Sequence, residues 1–198
     1  GLAPLLLPER IDSSLLPVMA DAFLTPSRRT LIVSLCLFVS GMSALIYQTT
    51  WFREFRLIFG ASTAATAAVM ATFMGGVGWG SLVLGRKADR QRSPLELYGR
   101  LELMIAVTAA LSPLLLMGVR AAYLAMAGGL ALGMAGSTAL RLVLGGAVLL
   151  VPTFLMGGTL PSAAAALWGG RHAHRWQVAL CYGANAAGGV VGVGLATF

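Results

Sequence analysis

Arg86-Lys87-Ala88-Asp89-Arg90-Gln91-Arg92 is a short basic run lodged between two long stretches almost free of charge. No charged side chain occurs from Leu57 to Gly85 before it, and none from Leu103 to Val119 after it. Each flank is long enough to cross a bilayer, because a spanning helix needs roughly 20 mostly apolar residues to cover a hydrocarbon core about 30 Å thick. Loops rich in Lys and Arg stay in the cytoplasm, where the anionic leaflet holds them and translocation is disfavoured. Arg86, Lys87, Asp89, Arg90 and Arg92 therefore predict a cytoplasmic elbow between two transmembrane helices.

Composition points the same way. The 198 residues are 58% hydrophobic and only 11% charged, with a mean hydropathy of +0.83. A soluble domain of this size would lack the polar surface to face water. The expected fold class is all-α, a polytopic transmembrane helix bundle whose surroundings are the lipid bilayer. The net charge of +7 does not indicate a nucleic-acid partner, since the arginines punctuate apolar segments and form no stripe with interleaved aromatics. Cys36 and Cys181 both fall in apolar segments and read as small hydrophobes, not as a disulfide framework.

Outward from the elbow, five spans are expected, at about 30–52, 61–85, 94–118, 141–168 and 176–198. Residues 1–29 carry Pro4, Pro8, Pro17 and Pro26, which break any long helix, so this leader is expected to be interfacial or disordered, on the cytoplasmic side of an inner membrane. Trp51 to Arg56 reads as an aromatic and charged collar at headgroup level. Ser93, Pro94 and Glu96 have the spacing of a capped helix start, with Glu96 also four residues before Arg100. The fourth span is broken by Pro152 and Pro161 around Gly157-Gly158-Thr159, which lipid tolerates only in a bundle interior.

The glycine-rich segment 120–138 leaves two layouts open. As a span it sends His172 and the neighbouring arginines outward; as an interfacial helix it keeps them in the cytoplasm. The interfacial layout sets Arg28, Arg29, Arg86, Lys87, Arg90, Arg92, Arg171 and Arg175 against Arg53, Arg56, Arg120 and Arg141, the cleaner asymmetry. The final segment is apolar to its last residue, which reads as a bundle cut off within a larger protein.

Few residues offer chemistry. Gly76-Val77-Gly78-Trp79-Gly80 has the spacing of a phosphate-binding turn, but no strand precedes it and it sits within an apolar helix. Gly76 with Gly80, and Gly188 with Gly192, read instead as small-xxx-small packing pairs. His172 and His174 lack further ligands for a metal shell. Asp89 is the only aspartate after residue 21, so paired-carboxylate chemistry is not expected. The candidates are intramembrane polar residues, whose burial is costly: Glu102, Tyr47, Gln48, Tyr182 and Asn185.

Several blocks carry a resemblance. Gly41-Met42-Ser43-Ala44-Leu45-Ile46-Tyr47, then Trp51-Phe52-Arg53 and Phe59-Gly60-Ala61-Ser62, resemble the first-helix signature of membrane-anchored spermidine-synthase-like proteins. Phe73-Met74-Gly75-Gly76, Gly80-Ser81, Gly85-Arg86 and Ala88-Asp89-Arg90 are similar to their second helix and loop. Leu155 to Pro161, and Tyr182 with Asn185, Gly188 and Gly192, are similar to later blocks. Gln48 departs from the family where an acidic residue is usual, as do Ala186 and Gly189 around Asn185.

The resemblance implies a membrane region preceding a cytoplasmic aminopropyltransferase-like domain that uses decarboxylated S-adenosylmethionine and putrescine. That domain's nucleotide turn and catalytic aspartates have no counterpart in this sequence. No catalytic residue, cofactor or metal is therefore expected here, and the expected partners are a C-terminal soluble domain or other membrane subunits. The basic elbow is also similar to a cytoplasmic loop of major facilitator transporters, with Arg141, Gly145 and Pro152 loosely similar to their fourth helix. Those transporters use two six-helix halves. A small-solute transporter segment and a structural subunit of a membrane complex remain the alternatives.

Overall fold

The computed structural model describes residues 28–59, 63–127, 134–167 and 175–198. These residues form α1 (Arg28–Phe59), α2 (Thr63–Arg90), α3 (Pro94–Ala127), α4 (Met134–Gly157), α5 (Thr159–Leu167) and α6 (Arg175–Thr197), with no strand among them. Five segments are long and apolar enough to cross a membrane: Arg28–Arg56, Thr66–Arg90, Pro94–Ala122, Val143–Leu167 and Trp176–Thr197. The protein is an all-α, multi-pass membrane bundle. The leader, His172 and His174 lie outside the described residues.

Within the segment 120–138, residues 128–133 lie outside the described residues. Residues 120–127 continue α3 without a break, while 134–138 open α4. Apolar character simply runs on past Arg120, and nothing in the sequence stops the helix there. α3 starts after Ser93, whose carbonyl accepts from the backbone N–H of Glu96 and Leu97 at 3.1 and 3.2 Å. The Glu96 carboxylate turns to Arg100 at 2.6 Å. Both side chains are exposed, so this pair contributes little to stability.

Two helix pairs make the closest approaches. α1 packs most extensively on α6, and α2 on α4. A methyl group placed on Gly188 or Gly192 would strike the carbonyl of Phe38 or Met42 on α1, and one on Gly41 would strike the carbonyl of Asn185. In the second pair, Gly76 and Gly80 lie against Thr153 and the Phe154 carbonyl, and Gly157 against the Val77 carbonyl. In lipid no hydrophobic force drives helices together, so small residues that admit such backbone contact supply the van der Waals association. Trp79 covers the second seam, edge-on to Phe154 at 5.2 Å.

α5 occupies the middle. It touches α1, α2, α3 and α6, with Thr159, Ser162, Ala163 and Ala166 buried. Half of the Val143–Leu167 window is buried, against 22–28% for the other four spans, so the proline-broken span is the central one. Gly158 marks the break: its N–H reaches back to Leu155 at 3.0 Å, and its carbonyl accepts from the Ser162 N–H and hydroxyl at 3.1 and 2.7 Å. Those local bonds satisfy backbone that lipid could not.

The same logic operates at Pro113 inside α3. Proline has no N–H to offer the carbonyl four residues earlier, and the Ser112 hydroxyl donates to that carbonyl, Ala109, at 2.7 Å. Ser112 in turn accepts from Trp51 Nε1 at 2.8 Å in a fully buried contact between α3 and α1. The collar reading therefore needs correction. Trp51 and Phe55, one helical turn apart, point into the core, while Arg53 and Arg56 face outward. Cys181 is buried, with its Sγ 3.7 Å from Ser34 Oγ, whereas Cys36 is exposed on the bundle surface.

The ends of the bundle are segregated by charge. Val33, Tyr98, Cys181 and Leu167 share one cluster, which brings the starts of α1, α3 and α6 and the end of α5 to one end. Arg28, Arg29, Arg86, Lys87, Arg90, Arg92 and Arg100 are exposed there, with Asp89 and Glu96 among them. Arg53, Arg56 and Arg120 lie toward the opposite end, near the Trp51 and Leu116 core.

Candidate functional site

Between the α1/α6 pair and the α2/α4 pair lies a cavity of about 470 Å³. Its depth follows from the helix rise of about 1.5 Å per residue: Ser40 is about 18 Å along α1 from Arg28, and Asn185 about 15 Å along α6 from Arg175. The cavity is therefore near the middle of the spans. Leu45, Phe73, Val77, Met156, Val190 and Val193 supply its apolar wall. Gly41, Ala44, Ala186 and Gly189 leave the space, because the α1/α6 seam excludes side chains at the contact itself.

Three polar side chains line it: Ser40, Thr159 and Asn185. Thr159 Oγ1 donates to the Met156 carbonyl at 2.8 Å, a bond made at the break between α4 and α5. Ser40 and the Glu102 carboxylate both lie within hydrogen-bonding reach of the Tyr98 hydroxyl. Thr159 has thus used its single proton within the protein and faces the cavity as an acceptor. Asn185 brings both donor and acceptor capacity on one amide. Among the described residues no lining side chain is titratable, so these residues are suited to bind and not to transfer protons.

Glu102 lies beside the cavity without lining it. One helical turn after Tyr98 and about 12 Å from the start of α3, its carboxylate accepts from Tyr98, while Oε1 is buried without a hydrogen-bond partner. A hydrogen-bonded chain therefore runs from the cavity through Ser40 and Tyr98 to Glu102. Tyr98 and Ser40 escaped the sequence reading. The four-residue spacing from Tyr98 to Glu102 was a visible signal for the first, whereas Ser40 had no signal short of helix packing.

The other candidates are dispersed. Tyr47 stacks on Trp51 at 6.1 Å along α1. Gln48 is buried, with Nε2 3.5 Å from Met70 Sδ on α2, a weak contact between the pairs. Tyr182 is 63% exposed and lies one helical turn before Ala186 on the same face of α6, without lining the cavity. Gly76, Gly80, Gly188 and Gly192 lie in the two seams. Arg86, Lys87, Asp89, Arg90 and Arg92 are exposed at the elbow, with Ala88 buried beneath them. Among the described residues no three of His, Cys, Asp and Glu gather to hold a metal.

Fold and cavity together define a multi-pass membrane protein with a mid-membrane, uncharged cavity. Compared with protein-family models, curated proteins and solved structures, the chain matches none.

Proposed function

We propose that the chain is the integral membrane module of a spermidine-synthase-like protein in the inner membrane, with its basic end and N-terminus cytoplasmic, serving an aminopropyltransferase-like domain. One observation carries this reading. The blocks that resemble the family are scattered from Gly41 to Gly192, yet they meet in the two helix seams and around one cavity, through Gly41, Ala44, Phe73, Met156, Thr159 and Asn185. A resemblance arising from apolar composition alone would have no reason to converge in space.

The seven-to-three excess of exposed basic side chains at the elbow end, among the described residues, supports the orientation by the positive-inside bias. A consequence follows for the transferase. α6 runs away from the elbow end, so polypeptide continuing from it starts on the opposite side. A transferase domain on the cytoplasmic side then requires an odd number of further crossings, or a separate polypeptide.

The test is to purify the intact gene product from its native membrane. Its preparation is assayed for transfer of an aminopropyl group from decarboxylated S-adenosylmethionine to putrescine, and its companions are sequenced. Spermidine formation dependent on the gene supports the reading. Absence of both transfer and any methyltransferase-fold partner removes it.

A transporter segment is the second reading, favoured by the position of the cavity between two tightly seamed pairs, an arrangement suited to one pair rocking on the other. The uncharged lining restricts such a role to neutral solutes. Uptake into proteoliposomes discriminates the two.

A further inference from the structure

We infer that the cavity between the helix pairs is a binding site for a neutral lipid with a hydroxyl head, such as a long-chain alcohol or a monoacylglycerol. This assignment does not rest on the transferase reading. It rests on three features of the lining.

The first is charge. Among the described residues no Asp, Glu, Lys, Arg or His lines the cavity, and an unpaired charge at mid-membrane depth is expensive. A cationic amine or an anionic headgroup would enter without a counter-charge. The Glu102 carboxylate does not serve, because Ser40 and Tyr98 stand between it and the cavity.

The second is hydrogen-bond polarity. Thr159 donates to Met156, so it presents its lone pairs inward, and Ser40 adds a hydroxyl beside it. An acceptor at Thr159, a hydroxyl at Ser40 and the Asn185 amide match a head that donates as well as accepts. A hydroxyl does both. A head with carbonyl or ether oxygens only could accept from the Asn185 amide but would leave the Thr159 acceptor unpaired, and buried unpaired polar groups discriminate between such analogues.

The third is access and size. The cavity is half open, and Val190 and Val193 on its rim are exposed on the bundle surface that faces lipid. A ligand therefore arrives from the bilayer. The volume of about 470 Å³ falls within the usual 300–1,000 Å³ of small-molecule sites, enough for the head and first part of an alkyl chain whose remainder stays among the acyl tails.

The experiment uses the full chain in phosphatidylcholine nanodiscs with a long-chain alcohol that carries a photoactivatable diazirine near its hydroxyl. Labelling is expected on α1 and α6 beside the cavity. Unlabelled alcohol should compete at least tenfold better than its O-methyl ether or the corresponding alkylammonium. Ala186→Phe, which puts a ring at the exposed mouth, should cut labelling at least tenfold. Equal competition by the ether, labelling spread evenly over the lipid-facing surface, or exclusion of the probe because a second copy or another helix fills the cavity would each overturn the assignment. The competition arm uses the unmodified chain, so it stands even if the variant misfolds. Spermidine formation is not read, so this outcome and that of the transferase test are separable.

Discussion

Gly41 of α1 meets Asn185 of α6 so closely that a methyl group on Gly41 would overlap the Asn185 backbone carbonyl and crowd its side-chain oxygen at 2.9 Å. The contact does two things at once. It draws the helix backbones together, and it sets the Asn185 amide at the edge of the cavity.

Gly41→Ala should therefore lower the thermal unfolding midpoint in detergent, because overpacking a close contact costs about 1–3 kcal/mol. Gly76→Ala should do the same at the α2/α4 seam, where Thr153 blocks the space. Gly75→Ala and Gly183→Ala, with nothing within 4 Å of the added carbon, should leave the midpoint unchanged. Equal effects at Gly75 and Gly76 would mean that the seam is not as described.

Ser112 joins Trp51 to the carbonyl that Pro113 leaves unpaired. Ser112→Ala strands both groups in the core and should cost about 1–3 kcal/mol. In a Pro113→Ala background the restored N–H takes the Ala109 carbonyl, so the same Ser112 change should cost less. A double-mutant cycle by thermal denaturation measures the difference; strict additivity would sever the proposed link between Ser112 and Pro113.

Among the described residues, Tyr98 is the hydrogen-bond partner of Glu102. Tyr98→Phe removes the donor from a carboxylate already holding one unpartnered oxygen, and should destabilise the bundle more than Glu102→Gln, whose neutral amide still accepts from Tyr98. Combining the two should recover part of the loss, since no charge is then stranded. A double variant no more stable than Tyr98→Phe alone would show that the lost hydroxyl, not the carboxylate, matters.

Topology is open to single-cysteine labelling after Cys36→Ser and Cys181→Ser. Arg28→Cys and Arg90→Cys should react with an impermeant maleimide only when the cytoplasmic face is opened, and Arg56→Cys and Arg120→Cys in intact cells. Labelling of Arg90→Cys and Arg120→Cys from one side would contradict the passage of α3 across the membrane.

Much of the fold was legible residue by residue. The charge-free runs around Arg86 to Arg92 locate two spans, the Ser93-Pro94 pair marks the start of α3, and Pro152 with Pro161 marks the broken central span. All are local signals: hydropathy over one span, a cap, a missing N–H. Legibility stopped where a residue's direction mattered. Trp51 and Phe55 looked like a belt because aromatics beside arginines usually are one, yet which helix face they occupy depends on what packs beside α1. The end of α3 was misread for the opposite reason, because apolar sequence carries no stop signal at Arg120.

By itself, then, the sequence determined that this protein is a helical membrane bundle, where its spans run, and which end carries the positive charge. These depend on burying backbone in lipid and on retaining cations at one face, and both are properties of single segments. The tertiary structure alone decided that Gly41 meets Asn185, that Gly80 meets Phe154, and that Ser40, Thr159 and Asn185 share a cavity that Gln48 and Tyr47 do not line. In lipid every apolar face is equally content, so hydropathy cannot choose helix partners. The fit of small residues against a neighbouring backbone can.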